Sequence, residues 1–197
     1  MTRLATFMFG EQTKPVDSGR EWVKQTAIVF GASLLVAACA RVTVPLPFTP
    51  VPLTLQNFGV LVVGLLLGSR RGFAALALYL VEGASGLPVF SPSPLGGGIA
   101  QLLGPTGGFL MAYPLVAFVA GWIYEHTRRG FAWAVVSSTA AEVALFAGGL
   151  SWLAVFTHSV STAVRFGLYW FVFAEVIKVL AASALASRWY RSRPAQG

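Results

Sequence analysis

The chain has 197 residues, of which 56% are apolar and only 11% are charged. A soluble domain carries about 25% charged residues, so this chain has too little charge to cover a water-soluble fold. Its 14 lysines and arginines outnumber its 7 acidic residues, which gives a formal net charge of +7. In a soluble protein that excess would suggest nucleic-acid binding, whereas in a membrane protein it sets the topology.

Six windows of the sequence are apolar and long enough, at about 20 residues, to cross a bilayer. They are 23–42, 53–69, 72–90, 107–124, 131–153 and 166–187. The second is the weakest, because its dense apolar part, from Phe58 to Gly68, is short. The windows predict an all-α, polytopic membrane protein with six transmembrane helices.

The positive charges are distributed unevenly among the segments that flank these windows. With six spans, the four segments on one side carry eleven of them: Arg3, Lys14, Arg20, Lys24, Arg70, Arg71, Arg128, Arg129, Arg188, Arg191 and Arg193. The opposite side carries only Arg41 and Arg165, and Lys178 lies within the last span. Because positively charged loops remain in the cytoplasm, both termini are predicted to be cytoplasmic, and no nucleic-acid partner is expected.

Three segments follow from this topology. Residues 1–22 are predicted to form a cytoplasmic N-terminal segment, residues 23–188 a six-helix membrane domain, and residues 189–197 a basic cytoplasmic tail. The first twenty residues lack the long apolar stretch of a secretory signal peptide, so the first span is expected to start membrane insertion.

The predicted outer connections are richer in proline and glycine than the short, basic inner ones. Four prolines fall within eight residues of the segment from Val44 to Pro52, which forbids a helix and predicts an extended path. The next outer connection, Gly86 to Gly108, contains the triplet Gly96 to Gly98 and a second pair of glycines. Its backbone could approach a ligand closely, or it could be a flexible loop with close helix packing at its end. A binding site is expected on this outer face.

Glu175 and Lys178 lie inside the last span, three residues apart and therefore on one helical face. Ionisable residues at this depth are functional candidates by default, because charge in hydrocarbon is costly. The alternative is that the two residues form a purely structural ion pair, and we favour the functional interpretation.

Glu142 in the fifth span either forms a second polar wall of the same cavity or bonds to neighbouring helices. Arg41 and Arg165 could steer an anion, although anchoring at the membrane surface is the more common use.

Enzymatic and metal signatures are missing from the sequence. His126 and His158 are the only histidines, Cys39 is the only cysteine, and none falls in a metal-ligand or nucleophile motif. No enzyme activity, metal or cofactor is therefore expected.

Small residues recur in the first span at Ala27, Gly31, Ser33 and Ala37. Such stripes let helices approach closely. The residues alone favour packing inside the protein over contact with a partner helix.

Three segments, Pro47 to Phe58, Gly86 to Leu110 and Gly167 to Ala182, together resemble the BioY biotin-transporter family. Members are substrate-binding S components of energy-coupling-factor (ECF) transporters. The resemblance implies a compact six-helix protein of a bacterial-type cytoplasmic membrane that binds biotin from outside. A separate transmembrane coupling protein and two ATPase subunits would supply the energy.

The resemblance also suggests roles for particular residues. It implies that biotin is the transported ligand and that the substrate-binding residues are Lys178, Glu175, Gly97, Gly98, Gln101 and Thr106. The usual aspartate of the family pattern is replaced here by Glu175, and the proline and glycine positions before it by bulky residues or alanine. It further implies that Ala27 and Gly31 dock onto the coupling protein.

Other functions compete with this interpretation. Within transport, the chain could be an S component for another vitamin or a biotin carrier that works without the ATPase module. In a different class, it could be an intramembrane enzyme that uses Glu142, Glu175 and Lys178 as acids and bases.

Overall fold

A computed structural model describes residues 18–93 and 96–192, and this part of the chain is mostly helical. The predictions for Arg3, Lys14 and Arg193 lie outside the described residues. The elements in chain order are α1 (Ser18–Arg41), β1 (Thr43–Val44), β2 (Leu53–Thr54), α2 (Gln56–Leu67), α3 (Ser69–Ala84), α4 (Ile99–Leu102), α5 (Gly107–Glu125), α6 (Phe131–Thr157), α7 (Val160–Val164), a π-helical turn (Arg165–Tyr169) and α8 (Val172–Arg191).

Helix α5 lies at the centre of the bundle and packs against α2, α3 and α6. Glycines permit the closest approach: a β-carbon built at Gly64 in α2 would lie 2.6 Å from the carbonyl oxygen of Ala117 in α5. At Gly121 of α5, a β-carbon would lie 2.5 Å from the backbone nitrogen of Ser69. Helix packing through small residues of this kind is characteristic of membrane proteins, because it brings backbones into van der Waals contact.

All six predicted windows contain helix, but the helices are not six uniform spans. Only α1, α5 and α6 are, in the described chain, single helices long and apolar enough to cross a membrane, and α7 to α8 forms a fourth candidate bent by 45°. Helix α2 has 12 residues and α3 has 16, which correspond to about 18 and 24 Å. Neither alone matches a hydrocarbon core of about 30 Å. The chain is a multi-pass membrane protein in which two of the predicted spans are short.

The last predicted window, 166–187, is wrong as one continuous helix. A π-helical turn occupies Arg165–Tyr169, and α8 begins only at Val172. Gly167 brings this turn onto α6, since a β-carbon there would lie 2.9 Å from a methyl group of Leu150. The chain therefore changes direction near the outer end of the bundle.

The proline-rich segment is free of helix, as predicted, but it is not one extended stretch, because a turn at Pro47 and Phe48 reverses the chain. Strands β1 and β2 pair antiparallel with Thr43 opposite Thr54, and the segment 45–52 forms the loop between them. The Thr49 hydroxyl donates to the Phe166 carbonyl oxygen over 2.8 Å. The ring of Phe48 lies 4.5 Å from that of Trp170. These contacts hold the loop over the bend that precedes α8.

The two ends of the bundle differ in charge. Arg70, Arg71 and Arg129 line a cleft at the end of the bundle where α2 meets α3. Arg41 is the last residue of α1 and lies at the other end of the bundle.

The predicted domain boundaries at 22/23 and 188/189 fall inside helices, because α1 spans Ser18–Arg41 and α8 continues to Arg191.

Candidate ligand-binding site

A cavity of about 550 Å³, measured to its open mouth, lies between the hairpin loop and the helices α2, α5, α6 and α8. Small-molecule sites combine apolar walls with a few polar groups, and this cavity has both. The lining residues are Val51, Pro52, Thr54, Gln56, Asn57, Ser91, Thr106, Phe109, Leu110, Tyr113, Leu145, Phe146, Gly167, Phe171, Glu175 and Lys178.

Four buried polar side chains form a connected cluster at this cavity. Lys178 Nζ lies 2.7 Å from Glu175 Oε1. Asn57 Nδ2 donates to Glu175 Oε2 over 2.7 Å and to Glu142 Oε1 over 2.6 Å. Each of these side chains belongs to a residue less than a tenth exposed. One amide nitrogen thus links two carboxylates that are carried by different helices.

Local structure explains how these side chains meet. Glu175 and Lys178 are separated by one turn of α8, so they emerge on the same face. Asn57 is the second residue of α2, which begins only where the extended strand β2 ends. Because α2 starts late, the space above Asn57 is available to the cavity rather than filled by another helical turn.

The cluster has unused hydrogen-bonding capacity. Among the described residues, Asn57 Oδ1 and Glu142 Oε2 are buried and accept no hydrogen bond. Lys178 makes one bond within the same part of the chain, although an ammonium has three donors. Buried polar groups are normally paired, and each unpaired one costs about 1–3 kcal/mol. A ligand with both donors and acceptors would complete this cluster.

Aromatic rings form the apolar walls of the cavity. Phe109 and Phe146 meet edge to face, with their ring centroids 6.5 Å apart. Phe171 and Tyr113 line the same space. Flat apolar walls of this kind suit a small ring system.

A second, wider cavity of about 1,270 Å³ opens outside the first. The two share Pro52 and Thr106, so they adjoin. Arg41 lines the outer cavity together with the proline-rich loop and the segment that carries Gln101. The outer cavity therefore forms a vestibule with a cationic rim.

Comparison with known proteins fits this geometry. The model of the BioY family matches residues 10–195, which is nearly the whole chain. The chain belongs to the BioY family. It is 37% identical to the biotin transporter BioY of Thermotoga maritima over 160 residues, which cover 81% of this chain and 90% of that protein. It is 34% identical to a probable biotin transporter BioY of Pyrococcus horikoshii, over 84% of this chain and 95% of that one. The family resemblance inferred from the sequence motifs is thereby confirmed.

A solved structure shows the same fold. The crystal structure of the S-component for biotin from an ECF-type ABC transporter superposes with a TM-score of 0.78. The likeness covers 88% of this chain and 94% of that chain, at 23% sequence identity. The chain therefore has the fold of that S-component.

Four of the six sequence-predicted substrate-binding residues line a cavity. Glu175, Lys178 and Thr106 line the inner cavity. Gln101 lines only the vestibule, and its amide nitrogen donates to the Ser91 carbonyl oxygen over 2.9 Å. Its contact therefore holds the loop at the cavity mouth.

The predicted glycines are not at either cavity. Gly97 is exposed, with nothing described within 4 Å of a β-carbon built on it. Gly98 is buried near the end of α3, where its built β-carbon would lie 3.8 Å from the Ala84 carbonyl oxygen. In this structure the glycine triplet shapes the loop rather than the cavity wall.

Sequence reasoning missed Asn57, which connects the cluster, and left Glu142 undecided. The signal for Asn57 was its place in the BioY-like segment from Pro47 to Phe58, directly after the proline-rich turn. Of the two roles considered for Glu142, the structure shows the bond to a neighbouring helix, which it makes to α2 through Asn57. Its side chain lines a separate cleft between α6 and α8 rather than the inner cavity.

The stripe in α1 splits between two faces. Ser33 is buried and donates to Glu82 of α3, and Ala37 is half-buried. Ala27 and Gly31 are exposed, and nothing described lies within 4 Å of a β-carbon built at Gly31. The expectation of internal packing is wrong for these two residues.

Proposed function

We propose that this chain binds biotin from outside the cell and delivers it inward as the S component of an ECF transporter. The observation that carries the proposal is the buried cluster of Asn57, Glu142, Glu175 and Lys178 beside a cavity with aromatic walls. Biotin has the complementary chemistry, since its ureido group offers two N–H donors and a carbonyl acceptor, and its thioether ring is apolar. The names of the relatives support biotin as the ligand.

The charges favour one orientation of biotin in this site. The cluster holds two carboxylates against one ammonium, so it suits N–H donors better than another carboxylate. The ureido nitrogens would donate to Asn57 Oδ1 and to the carboxylates, while Lys178 donates to the ureido oxygen. The ligand's own carboxylate would then point to the vestibule, where Arg41 supplies a positive charge.

The surrounding assembly follows from the same proposal. Six segments cross the cytoplasmic membrane, with α2 completing its crossing through the extended residues before it, and both termini are cytoplasmic. A coupling protein docks on Ala27 and Gly31 of α1, and separate ATPase subunits supply the energy. Exposure of these two small residues supports the docking assignment.

The decisive variant is Lys178→Ala. Removal of the buried ammonium leaves Glu175 without its cation and the ligand without a donor, so biotin affinity should fall by about 2 kcal/mol or more. Titration calorimetry on the purified chain in detergent measures the change. Lys178→Met, which retains side-chain bulk, should behave in the same way.

Lys24→Ala is the matched control, since Lys24 is an exposed lysine on α1 with one weak ion pair at 3.9 Å. Its biotin affinity should equal that of the parent chain. Unchanged affinity in both Lys178 variants would show that the ligand binds elsewhere.

Two alternatives within transport give different results in simple assays. Competition against a panel of vitamins identifies an S component for another ligand, because biotin would then fail to displace the bound compound. Uptake by the chain expressed without any ATPase module identifies a solitary carrier. Family membership favours transport over the intramembrane enzyme that Glu142, Glu175 and Lys178 had suggested.

A further inference from the structure

A second charged site lies at the basic end of the bundle, opposite the vestibule. It is a cleft of about 1,500 Å³ between the α2–α3 turn and the ends of α5 and α8. Arg70, Arg71 and Arg129 line it, together with Trp122 and Tyr190. The ligand-binding site uses none of these residues.

The positive charge of this cleft exceeds the negative charge, since three arginines and one glutamate line it in the described chain. The two ion pairs of the described chain involve other residues, so the three arginines have no carboxylate partner there. Glu125 is the one acid lining the cleft. Its carboxylate is held by Ser69, which donates from its backbone nitrogen over 3.2 Å and from its hydroxyl over 2.7 Å, and it forms no ion pair with these arginines in the described chain. Arg129 is positioned over the ring of Tyr190, with its guanidinium carbon 4.6 Å from the centroid.

An exposed apolar stripe on α5 leads directly into the cleft. Its members are Met111, Leu115, Phe118 and Trp122, which are between 37% and 51% exposed. Their spacing of four, three and four residues places them on one helical face. Phe118 and Trp122 also line the cleft, so the stripe and the basic site are continuous.

We propose that this cleft binds one anionic phospholipid, with its phosphate on Arg70 and Arg71 and an acyl chain along the α5 stripe. Guanidinium groups bind phosphate oxygens in a bidentate manner. Basic pockets between membrane helices on the cytoplasmic side are known to select anionic head groups. The apolar stripe distinguishes a lipid from a free phosphate ion, which would need only the arginines. It also distinguishes a lipid from an acidic protein segment, since the stripe faces the hydrocarbon.

The test compares lipid binding to the purified full chain by native mass spectrometry. Phosphatidylglycerol should be retained at least about fivefold more strongly than phosphatidylcholine with the same acyl chains. Arg70→Gln combined with Arg71→Gln should abolish that preference. The matched control is Arg20→Gln with Lys24→Gln, which removes the same charge from α1 at the same end of the bundle and should change binding by less than about twofold. Biotin affinity, which should be unchanged in both variants, reports that each is folded.

Several results would overturn the proposal. Equal retention of the two lipids would show that the cleft does not select charge. If the Arg20→Gln, Lys24→Gln control lost the preference for phosphatidylglycerol to the same extent, the effect would be one of overall charge rather than of this cleft. Displacement of phosphatidylglycerol by millimolar inorganic phosphate would indicate a site for the free ion. Unchanged lipid binding with loss of the complex with the coupling protein would assign the arginines to protein docking.

Discussion

A single amide nitrogen, that of Asn57, lies between two carboxylates at the base of the cavity. With one lysine beside them, the deep end of the site is rich in acceptors, while Arg41 gives the vestibule the opposite charge. A ligand with N–H donors at one end and a carboxylate at the other would match both ends at once. The asymmetry predicts how each end of biotin responds to mutation.

Arg41→Gln should weaken binding of biotin but not of biotin amide, whose valeryl end is uncharged. The expected loss is roughly two- to fivefold, because exposed ion pairs contribute about 0.2–1 kcal/mol. Lys178→Ala should weaken both compounds equally, since its partner would be the ureido group that they share. Calorimetry with the two ligands on both variants measures this. If Lys178→Ala instead spared the amide, the carboxylate would lie at the deep end.

The sequence identified the charged members of the site better than its neutral ones. Glu175 and Lys178 were predictable because their charge within an apolar window requires an explanation. Asn57 is neutral and stands at a helix start, so composition gave no comparable reason to select it. Gln101 was predicted to bind substrate from a loop, but it lies in the short helix α4. Its bond to Ser91 depends on how two segments meet in space, which spacing does not encode.

At the scale of elements, hydropathy located the helices but not their ends. Residues 170–173 are Trp, Phe, Val and Phe, as apolar as any membrane helix, yet the chain bends there. The bend depends on packing of Gly167 against α6 and of the hairpin loop against Phe166. These contacts join segments that are apart in sequence, so the mean hydropathy of a sequence window does not predict them.

The exposed small residues of α1 lead to a prediction about assembly. Gly31→Leu should leave biotin affinity unchanged, because Gly31 faces away from the bundle. It should abolish co-purification with the coupling protein, since a bulky side chain keeps two helix backbones apart. Affinity purification of the co-expressed complex measures the second effect.

Ala181→Leu is the control for that experiment, as Ala181 is an exposed small residue on α8. It should retain the complex. A complex that survives Gly31→Leu would contradict docking on this face, and loss of biotin binding would indicate that α1 is coupled to the cavity.

For the whole molecule, the distribution of arginines predicts the orientation in the membrane. In a Cys39→Ser background, Ser161→Cys should react with a membrane-impermeant maleimide in intact cells. Arg128→Cys should react only after permeabilisation, because positively charged connections are retained in the cytoplasm. Both positions are exposed, so differences in labelling report sidedness. The Cys39→Ser parent should remain unlabelled, and the reverse pattern would invert the topology.

The late start of α2 and the break before α8 have a shared electrostatic consequence. Both helices begin next to the cavity, and their first turns carry Asn57 and Glu175, which bond to each other. The N-terminus of a helix carries a partial positive charge of about half an electron, from peptide dipoles aligned along its axis. Two such ends converge beside a cluster whose side chains hold two carboxylates and one ammonium. Further helical turns at these starts would have moved the dipole ends away from the cluster, whereas the observed starts place their positive potential beside its two carboxylates.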